Sequence, residues 1–280
     1  MLNNACGLDG KLILVTGAGT GIGRGAALEL ARQGADVVVT YCGSDKGAME
    51  VVEEIKGMGR QSYSIQGNLG EVSDCFRVVD EAVKFLGGLD GLFCNAGLTL
   101  TQEFLDVTEE QFNRIYNVNI RGEYFCNQRA VPYMIERGKT LSLKQPGKPW
   151  AGGSIVNMSS VHGAAGFHGH SVYAGTKGAI NAYSRELAVE LCPKHIRVNV
   201  IAPGSIEVPS YFKSDPEYTH EVGNSMVPWG RVGTPEDVGY LVAYLLSDAS
   251  EFMTGSVLYF DGGLTAKMAI PYKPKIGERY

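Results

Sequence analysis

The chain of 280 residues has no run of 18 or more apolar residues, so its hydropathy excludes a helical membrane span. Its opening residues, MLNNACGLDGK, lack the basic-then-apolar pattern of a secretory signal, and the expected compartment is the cytoplasm. The six cysteines (Cys6, Cys42, Cys75, Cys94, Cys126, Cys192) include no CxxC pair and no Cys/His ligand spacing. Neither a disulfide framework nor a metal site is expected, and the thiols should be reduced and mostly buried. Positive charge is in deficit: 25 Lys and Arg against 30 Asp and Glu give a net charge of −5. That balance argues against nucleic acid or an anionic membrane as a partner, and leaves a small molecule. No repeat, low-complexity segment or break in composition marks a second domain. The length suits one large domain with a substantial core.

Glycine, by contrast, is abundant, with 37 residues, many of them just after apolar runs. Lys11 to Val15 reads as a strand, and Thr16-Gly17-Ala18-Gly19-Thr20-Gly21-Ile22-Gly23 follows at once, leading into helical periodicity from Ile22 to Gln33. A strand, a glycine-rich turn and a helix N-terminus make a phosphate site, because free backbone N–H groups and the helix dipole face the anion. Further strands are expected at Asp36 to Tyr41, Gln61 to Gln66, Leu89 to Cys94, Ser154 to Met158, His195 to Ile201 and Ser256 to Phe260. Helices are expected at Ala48 to Met58, Val72 to Leu86, Thr108 to Arg137, Val172 to Leu191 and Pro235 to Leu246. This alternation predicts an α/β fold of Rossmann type: a single-domain, doubly wound parallel sheet with helices on both faces.

Several unusual residues then fall on one edge of that sheet. The glycine turn, Asn95-Ala96-Gly97, Ser160 and Pro203-Gly204 each follow an apolar strand, and ligands of open parallel sheets bind at the strands' C-terminal ends. Tyr173 and Lys177 are four residues apart on an expected helix, so both side chains lie on one face. An ammonium so placed favours the phenolate form of the tyrosine. By itself the spacing is an ordinary helix pair; its position beside the crevice makes it a candidate for catalysis.

These residues resemble the short-chain dehydrogenase/reductases, from about Leu8 to Thr265. The matching residues are Thr16-Gly17-x-x-x-Gly21-Ile22-Gly23, Asn95-Ala96-Gly97, Asn119, Ser160, Tyr173-x-x-x-Lys177 and Pro203-Gly204. The resemblance implies hydride transfer between NAD or NADP and a secondary alcohol or ketone. In that scheme Tyr173 is the general acid/base, and Ser160 hydrogen-bonds the substrate oxygen. Lys177 supports Tyr173 and the nicotinamide ribose, and Asn119 holds a water in a proton relay. The cofactor-binding set it implies is Gly17, Thr20, Gly21, Ile22, Gly23, Tyr41, Asn68, Leu69, Asn95, Ala96, Gly97, Pro203, Gly204 and Ile206, with Tyr173 and Lys177. Two positions depart from the pattern. Val208 stands where a threonine commonly holds the carboxamide, and Asn68 stands where many members have an aspartate near the adenine.

No acid follows the second strand until Asp45, so the sequence leans to NADP or dual use. The loops Leu98 to Phe104, Val161 to His170 and Ser205 to Gly230 should shape the substrate pocket, with His162, His170, Glu207 and Trp229 as candidate contacts and Tyr211 as a further hydroxyl-binding and stacking group. Asn157 to His162 and Val227 to Glu236 resemble the glucose 1-dehydrogenase branch, which implies a sugar or polyol substrate. The rival readings are a 3-oxoacyl-carrier-protein reductase and a catalytically inert dinucleotide sensor. Gly138 to Gly153 is longer than a usual helix-to-strand connection and is expected away from substrate, as a surface loop or a subunit contact through Trp150. Lys267 to Tyr280 reads as an extended tail, and the resemblance implies a homotetramer or homodimer.

Overall fold

The structure, a computed structural model, describes residues 6–144 and 152–267. Seven strands form one parallel sheet: β1 (Leu12–Val15), β2 (Asp36–Tyr41), β3 (Ser62–Gln66), β4 (Gly91–Cys94), β5 (Ser154–Met158), β6 (Arg197–Pro203) and β7 (Val257–Phe260). Their order is β3-β2-β1-β4-β5-β6-β7. The chain starts at the centre and winds outward both ways, so the switch between β1 and β4 opens a crevice at their C-terminal ends. Every residue of β1, β4 and β5 is buried, as parallel strands covered on both faces require.

The covering helices are α1 (Gly21–Arg32), α2 (Asp45–Gly57), α3 (Val72–Leu86), α4 (Glu109–Tyr116), α5 (Glu123–Lys144), α6 (Ser171–Leu191), α7 (Pro209–Ser214), α8 (His220–Met226) and α9 (Pro235–Leu246). Strand alternation divides the core in two. Ile13, Val15, Val37 and Val39 pack with Ala27 and Leu30 of α1, Val51 of α2 and Val242 of α9. Leu14, Val38, Leu92 and Ile155 face the other way, onto Val78 of α3, Met134 of α5 and Ala188 of α6.

The structure departs from the sequence reading in four places. The helix expected from Thr108 to Arg137 is broken by a π-helical segment, Asn117–Gly122, which separates α4 from α5. The expected loop from Ser205 to Gly230 contains α7 and α8, each too short to show helical periodicity. The sixth strand starts at Arg197 rather than His195, because His195 sits at φ 55°, a left-handed conformation that no strand accommodates. Half of the insertion expected as a loop is helix, since α5 continues to Lys144; Trp150 and the tail beyond Lys267 lie outside the described residues.

Candidate active site

The glycine turn forms one wall of a cleft of about 1020 Å³ over the C-terminal edge of the sheet. Thr16 Oγ1 accepts from the backbone N–H groups of both Asn95 and Ala96 at 3.0 Å, and Asn95 Nδ2 donates to the carbonyls of Thr16 and Gly17. The turns after β1 and β4 are thereby clasped together. Gly17 has φ 65°, and a Cβ there would stand 2.8 Å from Ala96 Cα, so no other residue fits this approach. Thr20 gives α1 no side-chain cap and no acid stands in its first turn, which leaves its N–H groups open to an anion. Together these features fit a dinucleotide pyrophosphate.

Ten of the expected cofactor residues line this cleft: Gly17, Thr20, Gly21, Ile22, Tyr41, Asn68, Leu69, Asn95, Ala96 and Gly97. Gly23 lies behind the wall, where a Cβ would meet Asn95 Nδ2 at 2.5 Å. Pro203 and Gly204 stay against β7: Pro203 pairs with Phe260, and Gly204 donates to Phe260 O at 3.1 Å. Ile206 borders a separate cavity of about 290 Å³ together with Trp229. Val208 lines the large cleft and offers no hydroxyl there. Asn68 already spends one lone pair of its side-chain oxygen on Gly70 N–H, at 3.1 Å.

The expected catalytic residues converge from three elements. Ser160 follows β5, is buried, and its Oγ accepts from His162 N–H at 3.3 Å. Tyr173 and Lys177 lie one turn apart on α6, with Lys177 Nζ 5.5 Å from the centre of the Tyr173 ring. The ammonium is buried and donates to Met158 O at 2.6 Å. Asn119, inside the π-helical segment, accepts from Leu98 N–H at 2.7 Å and donates to Leu98 O and Thr176 Oγ1. Thr176 in turn donates to Tyr173 O at 2.7 Å. Asn119 therefore ties the Leu98 loop to the turn of α6 that carries Tyr173. Gly97 connects this cluster to the cleft, since a Cβ on it would lie 3.8 Å from Lys177 Nζ.

Of the candidate substrate contacts, two surround Tyr173 and two do not. The His162 ring lies 5.4 Å from that of Tyr173, the His170 ring 6.3 Å, and Phe167 packs on both histidines. His170 is fixed through Thr101 Oγ1 at 3.1 Å and His168 O at 2.9 Å. Burial, with the His170 charge adding to it, lowers the His162 pKa, and His162 Nδ1 is buried without a hydrogen-bond partner. Glu207 points elsewhere: its Oε2 accepts from Tyr218 at 3.1 Å and lies 2.9 Å from His220 Nδ1, clasping α8. Trp229 is mostly exposed beside the smaller cavity.

Two contributors, Thr176 and Glu123, escaped the sequence reading, whereas Tyr211, expected in the third loop, stands on α7; burial, and then the charge of Tyr173, raise its pKa. Thr176 is the link between Asn119 and Tyr173. Glu123 is buried at the start of α5, and desolvation pushes its carboxyl up to about 8 against the pull of Lys177. Only the Tyr-x-x-x-Lys helix itself offered a signal, in that Thr176 shares it. The cysteines also divide differently from expectation: Cys75, Cys94 and Cys126 are buried, whereas Cys42 and Cys192 are exposed.

A family model described as enoyl-(acyl carrier protein) reductase matches residues 17–265, from Gly17 of the glycine turn through the rest of the site just described. Fold, site and match define an NAD(P)-dependent oxidoreductase acting on alcohol or carbonyl groups. The chain belongs to the short-chain dehydrogenase/reductase family. It is 37% identical over 267 residues to versicolorin reductase stcU of Emericella nidulans, covering 91% of this chain and 96% of that protein. It is equally 37% identical over 269 residues to the tetrahydroxynaphthalene reductase of Pyricularia oryzae, covering 91% and 90%. Among solved structures, an acetoin dehydrogenase from Salmonella typhimurium superposes with a TM-score of 0.82 at 29% identity, covering 94% and 98% of the two chains. A short chain dehydrogenase from Burkholderia cenocepacia in complex with NADP gives 0.81 at 30% identity, covering 92% and 99%. No described helix is long and apolar enough to cross a membrane.

Proposed function

We propose that this enzyme reduces a ketone on a polyhydroxylated, fused-ring aromatic compound, with NADPH as reductant. The observation that carries this reading is the wall around Tyr173. His162, Phe167 and His170 are flat groups, and together they suit a planar ring system better than a saturated polyol. Relatives named for versicolorin and tetrahydroxynaphthalene reduction support it. NADPH rather than NADH is favoured because Tyr41 and Cys42, at the end of β2, line the cleft with no acid between them and Asp45.

The bound dinucleotide supplies the hydride. Tyr173 donates its hydroxyl proton to the oxygen that becomes an alkoxide, and Ser160 Oγ hydrogen-bonds the same oxygen. Lys177 keeps a buried positive charge beside the phenol, and the Asn119–Thr176 link holds that turn of α6 in place. We take the enzyme to be a cytoplasmic homotetramer associated through α5 and α6, whose outer faces expose Tyr124 and Val189. A monomer by light scattering refutes that assembly.

Oxidation of a sugar or polyol is the second reading, drawn from the resemblance to glucose 1-dehydrogenases. Its strongest hydroxyl-binding candidate, Glu207, already has its carboxylate engaged by Tyr218 and His220. The decisive measurement is nicotinamide absorbance, with NADPH supplied for 2-tetralone, tetrahydroxynaphthalene, acetoacetyl thioester and acetoin, and with NADP+ supplied for glucose and sorbitol. The expected outcome is fast reduction of the bicyclic compounds. Turnover confined to the sugars, or to the thioester, overturns the proposal.

A further inference from the structure

Beside Tyr173, the loop after β4 is fastened to the loop after β5. Thr101 Oγ1 lies 3.1 Å from His170 Nε2, Gln102 N–H donates to Gly169 O at 2.8 Å, and Glu103 Oε2 lies 3.6 Å from His168 Nε2. Thr101, Gln102 and Glu103 thus meet His170, Gly169 and His168 in that order, so the two segments run antiparallel. Gly169 permits the approach: it has φ 76°, and a Cβ on it would stand 3.3 Å from Thr101 Cγ2. At its start the same loop is held by Asn119, which bonds both the N–H and the carbonyl of Leu98 and reaches Thr176 of α6. His170 immediately precedes α6, and its carbonyl accepts from Ala174 N–H at 2.8 Å. The two anchors of the loop, His170 and Thr176, therefore bracket Tyr173 along the chain.

The same contacts fix the chemistry of the His170 ring. Its Nδ1 lies 2.9 Å from His168 O, and a carbonyl only accepts, so Nδ1 carries the proton. In the neutral ring Nε2 is then an acceptor, and Thr101 donates its hydroxyl to it. Both nitrogens are engaged within the protein. What His170 keeps for a ligand is its flat carbon surface, set beside His162 and Phe167 with ring centres 4.8 and 5.3 Å away. A histidine in this state offers a ring surface to stack on and no hydrogen bond to a hydroxyl. We propose that Thr101 is a specificity-determining positioning residue. It acts through His170, holding that ring as a wall that selects aromatic ring ketones over small open-chain ones. This deepens the reading of the wall around Tyr173 given above and rests on it.

The test has one readout without cofactor and one with it. Cofactor-free protein carrying ¹⁵N-labelled histidine is observed in buffer alkaline enough to keep the imidazoles neutral. The His170 signals, identified by their loss in His170→Gln, should show a protonated Nδ1 and a bare Nε2. Thr101→Val has nearly the same shape without the hydroxyl, so it should shift the Nε2 resonance, while Thr101→Ser should leave it near the wild-type position. A His170 protonated at Nε2, or an Nε2 resonance indifferent to Thr101→Val, overturns the inference. The second readout is steady-state reduction with NADPH. In Thr101→Val, kcat/KM for 2-tetralone should fall by roughly 3- to 10-fold, the ordinary net contribution of one hydrogen bond. The fall should lie in KM, acetoin should be spared, and Thr101→Ser should retain the wild-type ratio between the two ketones. A fall that lies in kcat, an equal loss on both ketones, or an unmoved ratio overturns the specificity role. If wild type leaves 2-tetralone untouched, the proposed function has failed and the specificity role with it, and the histidine resonances decide whether Thr101 holds His170.

Discussion

Tyr173 and Glu123 make opposite demands on their surroundings. Replacing Tyr173 with Phe removes one hydroxyl and leaves the ring packed against His162. Turnover should fall by roughly 10²- to 10⁴-fold, the ordinary contribution of a positioned proton donor. NADPH affinity, measured by fluorescence titration, should stay within a few-fold of wild type, and an equal loss of both would show that the hydroxyl holds cofactor. Glu123 affects stability instead. Its carboxyl titrates at 4.5 when unfolded and at about 8 when folded, so between those values the folded chain binds a proton that the unfolded chain has released. Stability attributable to this group is therefore full below pH 4.5 and falls as pH rises toward 8, by up to about 1.4 kcal/mol per unit. Thermal melts of Glu123→Gln should show a flatter pH dependence than wild type across that window, with the variant the more stable above pH 8. A Glu123→Gln melt that declines in parallel with wild type would mean the carboxyl is ionised throughout.

At the scale of elements, the break in the long helix matters most. The π-helical segment inserts Asn119 between the Leu98 loop and α6, and it ends at Gly122, which lies against the backbone of Leu69 on the cleft wall. A methyl group at position 122 would press on Leu69 O and stand 3.2 Å from Leu69 Cβ. Gly122→Ala should therefore cost about 1–3 kcal/mol in denaturant unfolding, as overpacking does, and weaken NADPH binding by displacing Leu69. Normal NADPH affinity in a destabilised Gly122→Ala would show that Leu69 is not part of the nucleotide wall. Thr108 to Arg137 reads as one helix because the backbone stays right-handed helical through the π turn, at Tyr116, Asn117 and Glu123 alike. Gly122 was the one local hint. The short helices α7 and α8 were hidden for another reason: six or seven residues give too little periodicity, although Pro209 at the first turn and Thr219, which accepts from Val222 N–H at 3.3 Å, are both start signals.

For the molecule as a whole, the sheet and the nucleotide edge were legible because each is local. The glycine turn, Asn95-Ala96-Gly97 and Ser160 each follow a buried strand directly, and parallel topology brings those ends together. The substrate wall was only half legible, since His162 and His170 sit near Tyr173 in sequence, whereas Glu207 and Trp229 are turned away by the path of the third loop. Cofactor choice is a property of the whole cleft in the same sense. Arg114 and Lys213 line it from α4 and α7, and Glu71 and Glu110 are its acids, none of which stands on β2. A ligand that binds only the folded chain stabilises it by about 2.7 kcal/mol at one hundred times its Kd. At equal concentrations NADPH should therefore raise the melting temperature more than NADH, because the tighter ligand stands further above its Kd. With no carboxylate after Tyr41 to repel it, the 2′-phosphate can approach the cationic groups, and the excess shift should shrink as salt screens that charge. A larger shift with NADH would require an acid to reach the adenine ribose from outside β2, and substitution of Glu71 would then be the first place to look.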